Sequence, residues 1–250
     1  MTVAVALVDP PREGLVLPEI AAETALSPGD ARDLYEAMLA DFFDVAADAN
    51  VDVLVNYPTP DRLPDGDGDP AAEIRSVAAS VLDREDLSDL RFEVQVGSSP
   101  SARIGNAITH LLRDEEETSA ALIDHRAPLL DRSVIDQAAI SLRRSEVVLG
   151  PSGAGGVHLA GFTEPIDFTD VLEDVPLETI VDRAREADAS VDFVRRRDVA
   201  TDPRTLGTVV ATIRARAAAG ASVPPRTTAA IEDLGLALRD GDLVVDEPNR

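Results

Sequence analysis

The chain has 250 residues, 44% of them apolar, and a formal net charge of −24. Its 23 basic residues are all arginine, set against 47 acids, and it contains no cysteine. Such a chain can bury one sizeable core with an appendage, but it cannot form disulfides or use thiolates, and it lacks the basic face that nucleic acid requires.

An acid-rich, lysine-free, aromatic-poor surface stays soluble where salt screens charge repulsion to a few ångströms, so the composition points to a halophilic protein of a molar-salt cytoplasm. Residues 1–8, Met1-Thr2-Val3-Ala4-Val5-Ala6-Leu7-Val8, have no basic start and are too short to direct export or to span a membrane. They read as a first buried strand, and no membrane role is expected. Ser27-Pro28-Gly29-Asp30 is a helix start with a capping serine, a proline at the first position and an acid to close the box. The helix runs on through Leu34, Met38, Leu39, Phe42 and Val45 at helical spacing. A strand follows at 51–55, then a loop with Asp61, Asp65, Asp67 and Asp69. Its alternating acids mimic a calcium loop, but Pro70 and Ser76 stand where glycine and glutamate are needed, so it reads as solvated loop.

Helices are predicted at 71–82, 102–112 and 133–142, and strands at 92–96, 120–123 and 147–149. Short buried strands alternating with helices of ten or more residues give an open, mostly parallel sheet covered on both faces, a three-layer α/β/α architecture. Ligands in such sheets sit beyond the carboxyl ends of the strands. The strand at 147–149 ends in Gly150-Pro151-Ser152-Gly153-Ala154-Gly155-Gly156, and a second strand-like run begins at Val157. Glycines at that density let main chain approach a ligand closely, which suits a pocket wall; a turn with spare glycines is the plainer alternative. No Lys-Ser/Thr follows and the next segment is strand, so this is not the familiar phosphate-binding loop. Further elements are expected at 177–187 (helix), 190–194 (strand), 203–219 (helix) and 227–238 (helix). The chain thus divides into a unit at 1–220 and an arm at 221–250, which folds back on the sheet or meets a second subunit to give a dimer.

In order, these pieces resemble the nucleotide-diphospho-sugar transferase superfamily, the GT-A fold, and within it a DUF2064-like family of glycosyltransferase-like proteins related to 2-phospho-L-lactate guanylyltransferases and molybdopterin nucleotidyltransferases. Gly150-Pro151, Gly155-Gly156, Leu159 and Gly161 match its Gly-Pro, Gly-Gly, Leu, Gly pattern; Ala102-Arg103-Ile104-Gly105-Asn106-Ala107 is similar to its Gly-Glu-Arg-Met helix start; and Asp198-Val199-Ala200-Thr201-Asp202-Pro203 to its Asp-Val-Asp-Thr-Pro segment. The resemblance implies a nucleotide or nucleotide-sugar ligand, glycosyl or nucleotidyl transfer, and Mg²⁺ or Mn²⁺ on strand-end carboxylates, which leaves Asp124 and Asp198 as candidate metal ligands. Asp202, before a proline and a helix, is expected to cap that helix.

The chain departs from the pattern at four polar positions. Arg12 is the only cation where the family has a basic cluster after the first strand. Arg126, in Asp124-His125-Arg126-Ala127-Pro128, stands where the metal-binding acid belongs; Ala154 and Ala200 replace two further acids. A guanidinium at the cation's place can hold a phosphate bidentately. Ligand contacts are therefore expected from Arg12, Arg103, Arg126, Gly150, Pro151, Gly153, Gly155, Gly156 and His158. Two functions remain open: an active transferase, or a catalytically degenerate binding or regulatory protein of the same fold.

Overall fold

Strand β1 (Thr2–Leu7) sends Ala4 and Ala6 into one apolar core and Val3 and Val5 into another, the period-two alternation of a strand buried on both faces. The same division recurs in β2 (Asp52–Tyr57), where Val53 and Val55 oppose Leu54. The structure, a computed structural model, describes residues 1–64 and 66–246. Asp65 of the acidic loop and the last four residues of the arm therefore lie outside the described residues.

Between β1 and β2 lie a short helix α1 (Pro18–Glu23) and the long α2 (Pro28–Asp48), whose start is the expected capping box between Ser27 and Asp30. Then come α3 (Pro70–Ala79), α4 (Arg84–Asp89), the edge strand β3 (Arg91–Val94), α5 (Pro100–Thr109), β4 (Ser119–Ile123), α6 (Arg132–Ser141), β5 (Val147–Pro151) and β6 (Val157–Phe162). The chain continues through α7 (Pro176–Glu186), β7 (Val191–Phe193), α8 (Pro203–Ala218) and α9 (Pro225–Asp233) to a hairpin of β8 (Leu236–Arg239) and β9 (Asp242–Val245).

Seven strands form one sheet in the order β3-β2-β1-β4-β6-β5-β7. The pairings are parallel except that β6 runs antiparallel to both β4 and β5. Helices α2, α3, α6, α8 and α9 contribute to the core on one face, and α5 and α7 to the core on the other. This is the mostly parallel three-layer α/β/α architecture that the sequence implied.

The elements depart from expectation mainly near the C-terminus. The helix expected at 227–238 stops at Asp233, because Gly235 adopts a left-handed conformation (φ +63°) and turns the chain into β8. Asp240 and Gly241 both have positive φ and close the hairpin, the two-residue turn that matches strand twist. Helices α1 and α4 were not expected; Asp83 caps α4 with bonds from Glu85 N–H and Asp86 N–H. The arm folds back on its own chain, α9 packing on α2 and the hairpin on α8. No helix among the described residues is long and apolar enough to cross a membrane.

Candidate functional site

A cleft of about 530 Å³ opens beyond the carboxyl ends of β1 and β4, the edge of a parallel sheet where ligands bind. Leu7, Leu122, Ile123 and Val157 give it an apolar floor, and Pro100, Arg103 and Ile104 at the start of α5 form one wall. Ser152, Gly153, Ala154 and Gly156 of the glycine loop form another, beside Val199, Thr201, Asp202 and Thr205 at the start of α8. Asp202 caps α8 as expected, accepting from Arg204 N–H at 2.9 Å and Thr205 N–H at 3.0 Å.

The polar groups of the cleft form a connected set. Asp124 Oδ1 accepts from Arg126 N–H and Nε, both at 2.9 Å, and Asp124 Oδ2 accepts from Arg126 Nη2 at 2.7 Å. Burial opposes the charge of Asp124, but the Arg126 charge and hydrogen bonds outweigh it and hold the carboxyl at about 2. The Asp124 charge in turn raises the pKa of Arg126, so the pair stays ionised. Its neighbour His125 points elsewhere: Nε2 lies 2.9 Å from the Tyr35 hydroxyl. Burial drives His125 down to about 4, against the pull of Asp124, so the imidazole is neutral near pH 7. The Tyr35 hydroxyl donates to Asp9 carbonyl oxygen at 2.9 Å and accepts from Asp9 N–H at 3.2 Å. With its one proton so placed, Tyr35 must accept from His125, which fixes the Nε2–H tautomer. One residue of α2 thus ties together the loops that follow β1 and β4.

Asp9 opens onto the cleft, yet the surrounding protein raises its pKa by desolvation, with Arg126 and Arg103 pulling the other way. Arg103 is held by Gln95, whose Oε1 accepts from Arg103 Nη1 at 3.1 Å while its amide donates to Asn56 carbonyl oxygen at 2.8 Å.

The residues expected to contact ligand divide in two. Arg103, Arg126, Gly153 and Gly156 line the cleft together with Asp124. Arg12 lies outside the lining and pairs with Glu73, through Nε at 2.9 Å and Nη2 at 2.5 Å. Gly150 and Pro151 also fall outside the lining: the His158 ring fills the space beside Gly150, and its Nε2 hydrogen-bonds Arg195 carbonyl oxygen at 3.0 Å. Gly155, at φ +76°, backs onto the Val175 side chain. These residues shape the glycine loop from behind. Asp9, Tyr35 and Gln95 were missed by sequence reasoning. Asp9 follows directly on β1, which was the available signal. Gln95 opens the segment 95–107 that resembles the Gly-Glu-Arg-Met helix start, without a role of its own read from it, and Tyr35 carries no signal beyond its polarity.

Asp124 and Asp198, the carboxylates expected to hold Mg²⁺ or Mn²⁺, do not fit that role as they stand. Both oxygens of Asp124 are taken by Arg126, and Asp198, outside the cleft lining, accepts from Arg196 at 2.7 Å. Among the described residues, three metal-ligating side chains converge within 4.8 Å only at Glu93, His110 and Glu115, none of which lines the cleft. There Arg91 already pairs with Glu93 at 2.6 Å and Glu115 at 2.7 Å.

Comparison with one solved structure, aligned at a TM-score of 0.72, agrees with this fold. The model of a family described as "Uncharacterized protein conserved in bacteria (DUF2064)" matches residues 69–179. A candidate nucleotide-diphospho-sugar transferase from Desulfovibrio desulfuricans G20 is similar in structure: the TM-score is 0.72 at 19% identity, covering 93% of this chain and 94% of that one. A cytidylyltransferase from Leptospira borgpetersenii serovar Hardjo-bovis aligns with a TM-score of 0.47 at 12% identity, over 93% of each chain. A 4-diphosphocytidyl-2C-methyl-D-erythritol synthase from Anaerococcus prevotii aligns with a TM-score of 0.46 at 12% identity, over 78% of this chain and 86% of that one. No curated protein matches the chain.

Proposed function

We propose, with the nucleotide-diphospho-sugar transferase fold as premise, that this protein binds a nucleoside triphosphate or nucleotide sugar in the cleft and transfers a glycosyl or nucleotidyl group from it. The observation that carries the reading is the cleft itself, which sets nearly bare main chain at Gly153, Ala154 and Gly156 together with the guanidinium groups of Arg103 and Arg126. Main chain without bulky side chains lets phosphate oxygens come close, and fixed guanidinium groups bind them with charge-assisted hydrogen bonds. In either transfer the leaving group carries phosphate, so negative charge grows where Arg103 and Arg126 are already oriented, and stabilising it needs no rearrangement. Gln95 contributes by holding Arg103 in place, and the Tyr35 bonds keep the loops carrying Asp9 and Arg126 in register.

A second reading, a nucleotide-binding protein without turnover, draws on the pairing of Asp124 with Arg126, which leaves no free carboxylate at the end of β4. Calorimetric titration with CTP, GTP and UDP-glucose in molar KCl, followed by ³¹P NMR of the bound mixture with hydroxyl- and phosphate-bearing acceptors added to take up the transferred group, separates the two. Binding with release of a phosphorylated product supports the transferase, and binding without it supports the module; absence of binding by all three defeats both. The salt reflects the accompanying proposal that the protein works in a halophile's cytoplasm. Residues 1–220 are taken as the nucleotide-binding unit and the arm as its clasp.

A further inference from the structure

We infer that this cleft holds nucleotide phosphates without a divalent cation, Arg126 gripping them while it remains paired with Asp124; the inference rests on the nucleotide reading above. Asp124 is the one cleft carboxylate at the end of β4, the central strand between β1 and β6. A cation there would have to displace three bonds at once, from Arg126 N–H, Nε and Nη2.

The pair has the opposite use. Arg126 reaches Asp124 through Nε and Nη2 only, so among the described residues Nη1 has no protein partner. It belongs to a side chain that lines the cleft. A guanidinium has five N–H donors in a rigid fork, so binding Asp124 along one edge aims the remaining donors without exhausting them. Asp124 thereby orients the phosphate-binding group, where in a metal site it would be the ligand. Arg103 is arranged likewise, fixed by Gln95 and by Ser99 carbonyl oxygen through Nη1 and Nε. Asp124 neutralises the charge of Arg126 but leaves its outward donors free, and with Arg103 they give a diphosphate positioned N–H donors that do not depend on an ion carried in with the substrate.

The two possible roles of Asp124 predict opposite results for one substitution. A metal ligand tolerates no loss of charge, whereas an orienting partner survives as asparagine, and Arg126 loses its neutralising neighbour. We therefore expect the tightest-binding of CTP, GTP and UDP-glucose to bind the wild-type protein in 1 M KCl with the same Kd in EDTA as in excess Mg²⁺. Asp124→Asn should bind within about threefold of wild type in EDTA. Arg126→Gln should bind about 10- to 100-fold more weakly there, the range for losing a hydrogen bond to a charged group. Thermal unfolding checks that each variant folds; should Arg126→Gln not fold, the EDTA comparison and Asp124→Asn decide. Wild-type binding that disappears in EDTA, loss of binding in Asp124→Asn, or unchanged binding in a folded Arg126→Gln would each overturn the inference while leaving the nucleotide reading intact. Absence of binding with and without Mg²⁺ would overturn that reading, and this inference with it.

Discussion

His125 is buried and hydrogen-bonded to Tyr35, with a pKa near 4, whereas an unfolded histidine titrates near 6.5. The unfolded chain therefore takes up the proton first. The contribution of His125 is fully present above about pH 6.5 and is lost as pH falls toward 4, a loss of about 3 kcal/mol. Asp124, held at about 2, acts in the same direction lower down: its stabilisation is present above the unfolded value and fades as pH falls through 2. In urea titrations His125 should therefore contribute a decline below pH 6.5, as does His158, whose pKa burial also lowers. His110, raised by its hydrogen bond to Asp114, instead loses stabilisation as pH rises, so the difference between wild type and a His125 variant isolates His125. His125→Gln should flatten the segment between 6.5 and 4; an unaltered slope would mean that another group carries the protons. At this scale the sequence was informative about residue types and silent about pairings. The exchange of acid for base at position 126 was legible as a departure from the family pattern. That Asp124 and Arg126 would clasp each other two residues apart was not, because it depends on loop geometry. Nor do adjacent positions make partners: His125 turns away from Asp124 to Tyr35, on a helix ninety positions earlier.

Helix α9 begins at Pro225 without a side-chain cap of its own. Its cap comes from α2: buried Asp41 accepts from Thr227 N–H at 2.7 Å and Arg226 N–H at 3.1 Å. Arg226 also reaches Asp44 on the next turn of α2. A carboxylate at a helix N-terminus satisfies orphan donors and complements the helix dipole, so Asp41→Ala should cost about 1–3 kcal/mol through uncapping and the buried donors left behind. Urea unfolding should register that loss, and hydrogen exchange should show it first at α9 and the hairpin. A uniform loss across the sheet would contradict the idea that Asp41 acts through the arm. Sequence periodicity found α2 and its cap readily, since both lie within one local stretch. It could not find a cap supplied by a residue almost two hundred positions away. It also carried the last helix into 236–238, where Gly235 and the Asp240-Gly241 turn were the overlooked signals; Leu236 and Ala237 are apolar at either period, and the hairpin's packing on α8 decides between them.

Across the whole molecule, a formal net charge of −24 sits on a surface where part of the arginine is already committed to ion pairs, such as Arg32 with Glu13 and Arg91 with Glu115. The excess acids repel one another in the compact state more than in the expanded chain, so the folded form should gain from screening. The Debye length falls from about 10 Å at 0.1 M to about 3 Å at 1 M. Once it is shorter than the spacing between neighbouring surface acids, further salt has little repulsion left to remove. Thermal unfolding in KCl should therefore rise steeply from 0.1 M and level off near 1 M, with NaCl tracing the same curve because screening depends on ionic strength alone. A midpoint that keeps climbing linearly beyond 2 M would point instead to exclusion of salt from the protein surface as the main source of the stabilisation. Such a result would separate the acidic composition from any electrostatic benefit of salt. The surface pairs should matter little to this curve, since exposed ion pairs contribute about 1 kcal/mol or less and weaken under the same screening. Their loss sets a shallow opposing slope, so the net rise measures how far the unpaired acids outweigh the paired ones.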